Sequence, residues 1–273
     1  MSPHPPTRPS VRVTVAQLQG SPDHAANRQV VSDAFRTAEQ VHADLVVFPE
    51  YSSGFDPHGV GVAHVEAIDG PFVSLLRERA AQTGVAAIAG TTLPGGPGRA
   101  VNAVVGVDGS GGLVGVYRKV HLYDAFGHRE SDRLEPGPVD ARPLVLDVAG
   151  LRFGVMTCYD LRFPESARRL VDAGAQVLVV PAAWAEGELK VMHWHTLAVA
   201  RAIENTSAVV AVGMAGRGVI GHSLVVGPDG MVGLELDDEP GVRTVDVDGA
   251  LLGEVREQNP SLSNRRYSVT PRL

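Results

Sequence analysis

The chain has 273 residues, a net charge of −7 and a pI of about 5.8. This charge argues against general nucleic-acid binding, which needs a basic surface, and no apolar run is long enough to span a bilayer. Cys158 is the only cysteine, which excludes an internal disulfide and favours a reducing, cytoplasmic location.

The chain opens on a proline-rich stretch without an apolar core. We predict that residues 1–10 are a disordered tail rather than a signal peptide or anchor. No linker or shift in composition interrupts the rest, so residues 11–273 are predicted to form a single domain.

Strand and helix patterns alternate along this domain. Short apolar or β-branched runs predict strands at 11–18, 43–50, 85–90, 101–107, 112–120, 144–148, 151–157, 176–181, 207–213 and 242–247, with a further hairpin over 222–236. Apolar residues at helical spacing predict helices at 26–41, 71–82, 164–173 and 188–204, the first with Asp23 as its N-cap. Buried strands separated by helices, together with several hairpins, predict an α/β fold with mixed sheets.

Several motifs of well-known chemistry are missing from the sequence. It contains no HExxH, no CxxC and no P-loop. His193 and His195 are two residues apart on a predicted helix, which makes them a poor chelating pair. Ser223 does not complete a serine-hydrolase elbow, because residue 225 is valine.

Cys158 follows the predicted strand 151–157 and precedes the helix that begins near Pro164. Functional groups of α/β proteins often lie at such strand ends, and a nearby helix N-terminus favours a thiolate. By its position alone, Cys158 is equally compatible with a buried, inert thiol.

Two further side chains with useful chemistry lie at predicted strand ends. Glu50 ends the run LVVFPE, where a carboxylate can act as a general base for a thiol or be a solvated turn residue. Lys119, in VYRKVHLYD, is either a surface lysine or a fixed cation that stabilises a developing oxyanion.

The phrases FPE, YRKVHLYD and CYDLRFPE occur in this order, with VAQLQ, HW…ARAIEN and SLVVGPDG around them. This set resembles the nitrilase or carbon–nitrogen hydrolase superfamily over about residues 11–266. The resemblance implies a four-layer α-β-β-α sandwich, a homodimer or higher oligomer, and catalysis without a metal or organic cofactor.

The resemblance also assigns roles to individual residues. Glu50, Lys119 and Cys158 match the Glu-Lys-Cys triad of the family, and Glu130 matches its second active-site glutamate. The implied reaction converts a small amide to an acid and ammonia through an acyl-thioester on Cys158. Lys119 and the backbone N–H of Tyr159 are expected to hold the oxyanion, and Glu130 is expected to orient Lys119 or the substrate amide.

The phrases around the cysteine look most similar to the branch of omega-amidases and deaminated-glutathione amidases, which act on small amides that carry a carboxylate. Arg162 is a candidate to bind that carboxylate; the alternative is a structural ion pair with Asp160 or Glu165. Aromatic residues expected to line the pocket are Tyr51, Tyr123, Tyr159 and Trp184.

Other functions are compatible with the same triad. A nitrilase would react through a thioimidate, an N-carbamoyl amide hydrolase would also release carbon dioxide, and an acyltransferase would pass the acyl group to an amine. The alternative without enzymatic activity is a catalytically silent scaffold with the same fold, and the intact Glu-Lys-Cys set argues against it.

Overall fold

The computed structural model describes residues 10–272, so the predicted tail lies outside the described residues except for Ser10, which begins the first strand. The strands in chain order are β1 (Ser10–Gln17), β2 (Leu45–Val47), β3 (Ala86–Pro94), β4 (Ala100–Val107), β5 (Leu113–Arg118), β6 (Val145–Val148), β7 (Leu151–Val155), β8 (Val177–Ala182), β9 (Ala208–Gly213), β10 (Leu224–Val226), β11 (Val232–Glu235) and β12 (Gly241–Asp248). The α-helices are α1 (His24–Gln40), α2 (Pro71–Thr83), α3 (Pro164–Asp172), α4 (Lys190–Asn205) and α5 (Gly249–Gln258).

These strands form two six-stranded mixed sheets. The first has the order β12-β1-β2-β3-β4-β5 and is parallel across β1, β2 and β3. The second has the order β11-β10-β9-β8-β7-β6 and is parallel across β7, β8 and β9. Antiparallel strands complete both sheets at their edges, which confirms the predicted mixed α/β class.

The sheets pack face to face, and helices cover their outer faces. Val13 and Ile88 of the first sheet share an apolar cluster with Phe153 and Val179 of the second. A second cluster joins α1 and α2 to the first sheet, and a third joins α3 and α4 to the second. This is the predicted four-layer α-β-β-α sandwich. Within the part of the chain that the structure describes, no helix is long and apolar enough to cross a membrane.

Two predicted strands end earlier than their apolar runs. The run 43–50 pairs only over β2, because Pro49 has no N–H to donate and Tyr51 turns back with a φ of +56°. The run 151–157 pairs only over β7, after which a 3₁₀ helix begins at Cys158. As a result, a residue with a reactive side chain lies just beyond each strand: Glu50 follows β2 and Cys158 follows β7.

The turn that carries Glu50 lies directly against β3 at Gly90. A Cβ atom at Gly90 would lie 2.5 Å from the Cα of Glu50 and 2.7 Å from the carbonyl oxygen of Pro49. The Gly90 N–H donates to that same carbonyl, at 3.0 Å. The absence of a side chain at Gly90 is therefore a condition for the position of Glu50.

We expect Gly90→Ala to lower the free energy of unfolding by about 1–3 kcal/mol, because the new methyl group must displace backbone atoms in a packed interior. Urea denaturation measures the effect. Gly233→Ala on β11 is the matched control, since the nearest atom to its new Cβ is 3.9 Å away, and we expect it to stay within about 0.5 kcal/mol of the parent chain. Equal stability of the two variants would contradict the close approach at Gly90.

Candidate active site

A largely buried cluster of three charges lies beside the ends of β2 and β5, with its third member in the loop after β5. Lys119 Nζ lies 2.9 Å from Glu50 Oε1 and 3.0 Å from Glu130 Oε2. The side chains of Lys119 and Glu50 are each 1% exposed, and that of Glu130 is 14% exposed. The structure therefore brings together the predicted lysine and both predicted glutamates, which are far apart in the sequence.

Backbone and amide donors hold Glu50 and Lys119 in place. Ala183, just after β8, donates its N–H to Glu50 Oε2 at 2.7 Å. Asn102 on β4 donates from Nδ2 to Glu50 Oε1 at 2.6 Å. Lys119, the residue after β5, donates its N–H to the Asn102 carbonyl at 2.9 Å, and its own carbonyl accepts from Gly137 at 2.7 Å. Both sheets thus contribute to the geometry of one carboxylate.

Glu130 lies in a short 3₁₀ turn, Glu130–Asp132, inside the irregular stretch between the sheets. The Tyr51 hydroxyl donates to Glu130 Oε1, and the backbone N–H of Tyr123 donates to Oε2 at 2.6 Å. Tyr51 also accepts a hydrogen bond from Asn102 Nδ2 at 2.7 Å. Tyr51, predicted as a pocket wall, lines the pocket and in addition fixes this second carboxylate.

Cys158 has a φ of +48°, a left-handed conformation that is costly for a residue with a Cβ. It opens the 3₁₀ helix Cys158–Arg162 and is 6% exposed. The preceding Thr157 donates its N–H to Asp160 Oδ2 at 3.0 Å and its hydroxyl to the Pro181 carbonyl at 2.7 Å. These contacts hold the turn in a conformation that Cys158 alone would not favour.

Asp160 is fully buried and connects this turn to the end of β5. Its carboxylate accepts from the Tyr117 hydroxyl at 2.6 Å and lies 2.7 Å from His121 Nδ1. The predicted alternative for Arg162, an ion pair with Asp160 or Glu165, is wrong: among residues 10–272, Arg162 forms neither pair. The Arg162 guanidinium instead lies over the ring of Trp184, 4.8 Å from its centroid.

Burial and charge shift the pKa values of these groups strongly. Burial raises the pKa of the Cys158 thiol well above its ordinary value, and the charge of Glu50 raises it further, while Lys119 lowers it. Burial lowers the pKa of Lys119, but the charges of Glu130 and Glu50 outweigh it and leave that pKa well above the ordinary value. For Glu130, burial raises the pKa, but the Lys119 charge and the Tyr51 hydrogen bond lower it overall. The lysine is therefore charged as predicted, whereas burial and the charge of Glu50 oppose the thiolate that the helix N-terminus was expected to favour.

Cys158 lies where two parts of one cleft meet. One part is lined by the charged cluster, Tyr51 and Tyr123. The other part is lined by four of the predicted pocket residues and by one residue that was not predicted. These five residues are Tyr123, Tyr159, Arg162, Trp184 and the unpredicted Lys190.

Asn102 and Lys190 belong to the site but were not predicted from the sequence. Asn102 donates to Glu50 and to Tyr51, and a lone amide within the apolar strand AVNAVVGV was the available signal. Lys190 lies beside Tyr123 and Arg162. In the sequence, Lys190 stands out because lysine is rare: of the 24 lysine and arginine residues, only Lys119 and Lys190 are lysines.

No group of three or more histidine, cysteine, aspartate or glutamate side chains suited to a metal ion occurs between residues 10 and 272. The two histidines judged to be a poor chelating pair have separate contacts. His193 Nδ1 lies 3.4 Å from the Arg162 guanidinium, and His195 Nε2 lies 3.8 Å from Glu235 Oε2.

The chain is similar to known carbon–nitrogen hydrolases and amidases. Residues 12–257 match the family model described as carbon-nitrogen hydrolase. The chain is 37% identical over 244 residues to a deaminated glutathione amidase of Escherichia coli O157:H7, covering 89% of this chain and 92% of that protein. It is 32% identical over 247 residues to a 2-oxoglutaramate amidase of Bacillus subtilis strain 168, covering 87% and 91%.

A solved structure with the same fold carries a covalent adduct. It is a variant of the amidase from Nesterenkonia sp. AN1 that shows covalent addition of the acetamide moiety of fluoroacetamide at the active site cysteine. It superposes with a TM-score of 0.77 at 29% identity, covering 95% of this chain and 97% of that one.

We expect Glu50→Gln to move the alkylation of Cys158 to lower pH. The charge of Glu50 raises the pKa of the thiol, so its removal lowers that pKa and the thiolate forms at a lower pH. Rates of iodoacetamide labelling against pH, followed by intact mass, measure the midpoint on the only cysteine of the chain.

Glu130→Gln is the matched control, because its charge is a weaker cause of the raised pKa of Cys158. We expect a smaller shift in the same direction. A midpoint in Glu50→Gln that stays constant or moves to higher pH would contradict the electrostatic coupling between Glu50 and Cys158.

Proposed function

Because the chain belongs to the carbon–nitrogen hydrolase family, we propose that it hydrolyses a small amide to a carboxylic acid and ammonia through an acyl-thioester on Cys158. The observation that carries this proposal is the buried Lys119, bonded to Glu50 and to Glu130 in a cleft that Cys158 also lines. Curated relatives named as amidases support an amide as the substrate. The cysteine adduct in the Nesterenkonia amidase supports a covalent intermediate.

The first half of the reaction forms the acyl-enzyme. Glu50 accepts the proton of the Cys158 thiol as Sγ bonds to the amide carbonyl carbon, which gives a tetrahedral intermediate with a negative oxygen. Lys119 Nζ and the backbone N–H of Tyr159 stabilise that oxygen. Glu50 then returns its proton to the amide nitrogen, the C–N bond breaks and ammonia leaves.

The second half of the reaction releases the acid. Glu50 accepts a proton from water while the water oxygen attacks the thioester carbon, and the same oxyanion donors hold the second tetrahedral intermediate. That intermediate collapses with cleavage of the C–S bond. The proton on Glu50 returns to the Cys158 sulfur, so the enzyme is restored.

The pKa shifts are consistent with this sequence of steps. The thiol of Cys158 is neutral at rest because its pKa is raised, so the base must take the proton during the attack. Lys119 remains charged because its pKa is also raised, which keeps it available to the oxyanion. Glu130 stays ionised with its lowered pKa and orients Lys119 rather than transferring the main proton.

We expect Cys158→Ala to lose ammonia release from every substrate that the parent enzyme hydrolyses, because no other cysteine can form the thioester. The measurement is ammonia release over a panel of small amides, carboxylated amides, N-carbamoyl amino acids and nitriles. Circular dichroism and size-exclusion chromatography check that the variant keeps the fold and the association state of the parent, for which a homodimer is predicted. Turnover in Cys158→Ala would exclude the assigned nucleophile, and release from nitriles alone would exclude an amidase.

We expect hydroxylamine to intercept the acyl group. The amine attacks the thioester in competition with water, so the parent enzyme forms a hydroxamate and less free acid. Mass spectrometry of the products measures this ratio, and Cys158→Ala with hydroxylamine is the blank. An acid yield independent of hydroxylamine would argue against an acyl-enzyme that is open to solvent.

A further inference from the structure

The two proposed oxyanion donors, Lys119 Nζ and the backbone N–H of Tyr159, lie on different segments of the chain. Lys119 follows β5 of the first sheet, whereas Tyr159 lies in the turn after β7 of the second sheet. An oxyanion hole stabilises a negative oxygen when its donors converge on one point, and such a geometry must be held to within about 0.5 Å. The site therefore depends on whatever connects these two segments.

The carboxylate of Asp160 is fully buried and contacts both segments. Its Oδ2 accepts from the Thr157 N–H at 3.0 Å, on the cysteine turn, and from the Tyr117 hydroxyl at 2.6 Å. Its Oδ1 lies 2.7 Å from His121 Nδ1 and accepts from the backbone N–H of His121 at 3.3 Å. One carboxylate thus connects the turn of the nucleophile to the residues two positions before and two positions after Lys119.

The Tyr117 hydroxyl makes contacts on both sides. It donates to Asp160 and also accepts from the Val120 N–H at 3.3 Å, so it holds the backbone directly after the lysine. Burial, and then the charge of Asp160, raise the pKa of Tyr117 well above its ordinary value. The hydroxyl therefore keeps its proton and remains the donor in its hydrogen bond to the carboxylate.

The ring of His121 forms a second connection to the cysteine turn. It lies nearly parallel to the ring of Phe163, with 8° between the ring planes and 3.7 Å between the centroids. Phe163 directly follows the 3₁₀ helix that begins at Cys158. Lys119 is therefore flanked by two anchored residues, Tyr117 before it and His121 after it.

The charged cluster reaches the same turn by a longer route. Glu50 binds Lys119 Nζ and accepts the N–H of Ala183, just after β8. The Thr157 hydroxyl donates to a backbone carbonyl within β8. This route passes through the backbone of β8, whereas the side chain of Asp160 contacts both segments itself.

We propose that Asp160 is a positioning residue that, with Tyr117 and His121, sets the distance between the two oxyanion donors. This inference rests on the proposed function, since it explains how Lys119 Nζ and the Tyr159 N–H come to face one oxygen atom. Asp160 acts through these donors and takes no proton in the reaction.

Two reactions of Cys158 distinguish this role from general support of the turn. Amide hydrolysis passes through tetrahedral intermediates that carry a negative oxygen. Alkylation by iodoacetamide forms the C–S bond as iodide leaves and the thiol proton is lost, and no negative oxygen develops. A displaced oxyanion donor should therefore slow hydrolysis and leave alkylation unchanged, whereas a displaced sulfur should slow both.

The test measures both reactions in Tyr117→Phe, which removes one hydrogen bond to Asp160 and changes no charge. We expect kcat for the amide that the parent hydrolyses best to fall roughly tenfold, with KM close to that of the parent, because a displaced donor costs less than a removed one. The alkylation rate should stay within about twofold of the parent, since that step forms no oxyanion. Tyr267→Phe is the matched control, because its side chain is 91% exposed, and it should leave both reactions unchanged.

Equal losses of hydrolysis and alkylation in Tyr117→Phe would indicate general support of the turn and would overturn the inference. Unchanged hydrolysis in that variant would overturn it as well. If circular dichroism shows that Tyr117→Phe does not fold, His121→Phe replaces it, because it keeps a ring against Phe163 and removes the contact between Nδ1 and Asp160. We expect the same difference between the two reactions.

Butyraldehyde tests the two donors without turnover. The sulfur of Cys158 adds to the aldehyde carbon, the π electrons of the C=O bond move to the oxygen, and the thiol proton moves to Glu50. The adduct therefore carries a negative oxygen that both donors can hold. Protection of Cys158 against iodoacetamide measures the affinity, and we expect Tyr117→Phe to weaken it roughly tenfold and Tyr267→Phe to leave it unchanged.

The aldehyde separates this inference from the proposed function. If the parent hydrolyses no amide but binds butyraldehyde more tightly than Tyr117→Phe does, the proposed function fails and the positioning role of Asp160 stands. If amides are hydrolysed and neither hydrolysis nor aldehyde binding depends on Tyr117, the function stands and the inference fails.

Discussion

A lysine buried between two carboxylates is the interaction on which the rest of the site depends. Lys119, Glu50 and Glu130 are removed from water, and each charge would be costly without its partners. Their hydrogen-bond donors come from both sheets, with Asn102 on β4 and Ala183 after β8. A shift of the second sheet would therefore remove the Ala183 N–H from Glu50 Oε2, whereas Lys119 and Asn102 belong to the first sheet and would stay with Oε1.

The same cluster determines how the thiol reacts. Burial opposes a resting thiolate at Cys158 most strongly, and the negative balance of two carboxylates against one lysine adds to it. In the proposed reaction, proton transfer and attack then occur together, so catalysis depends on geometry rather than on a preformed ion pair. The structure meets this demand with the left-handed backbone at Cys158, whose cost is met by the contacts of Thr157 and Asp160.

Local sequence features were sufficient to predict the mixed α/β class and the strand-end positions of Glu50, Lys119 and Cys158, whereas the four-layer sandwich was implied by the family resemblance. Apolar runs punctuated by proline and glycine report local structure directly. Contacts between residues far apart in the sequence could not be predicted in this way. A nearby helix was expected to favour the thiolate, whereas burial and then the charge of Glu50, about a hundred residues earlier, raise the pKa of Cys158. An ion pair was considered for Arg162, but Asp160 already accepts hydrogen bonds from residues around the end of β5.

Charge is unequally distributed along the cleft, since Glu50 and Glu130 line one part and two cations line the other. A substrate carboxylate near Cys158 would add a further negative charge and raise the pKa of a thiol that is already hard to ionise. Lys190 and Arg162 lie where they can offset that charge, on the side of the cleft away from Glu50 and Glu130. Any anion bound in this cleft therefore raises the pKa of the thiol least when it lies beside these two cations.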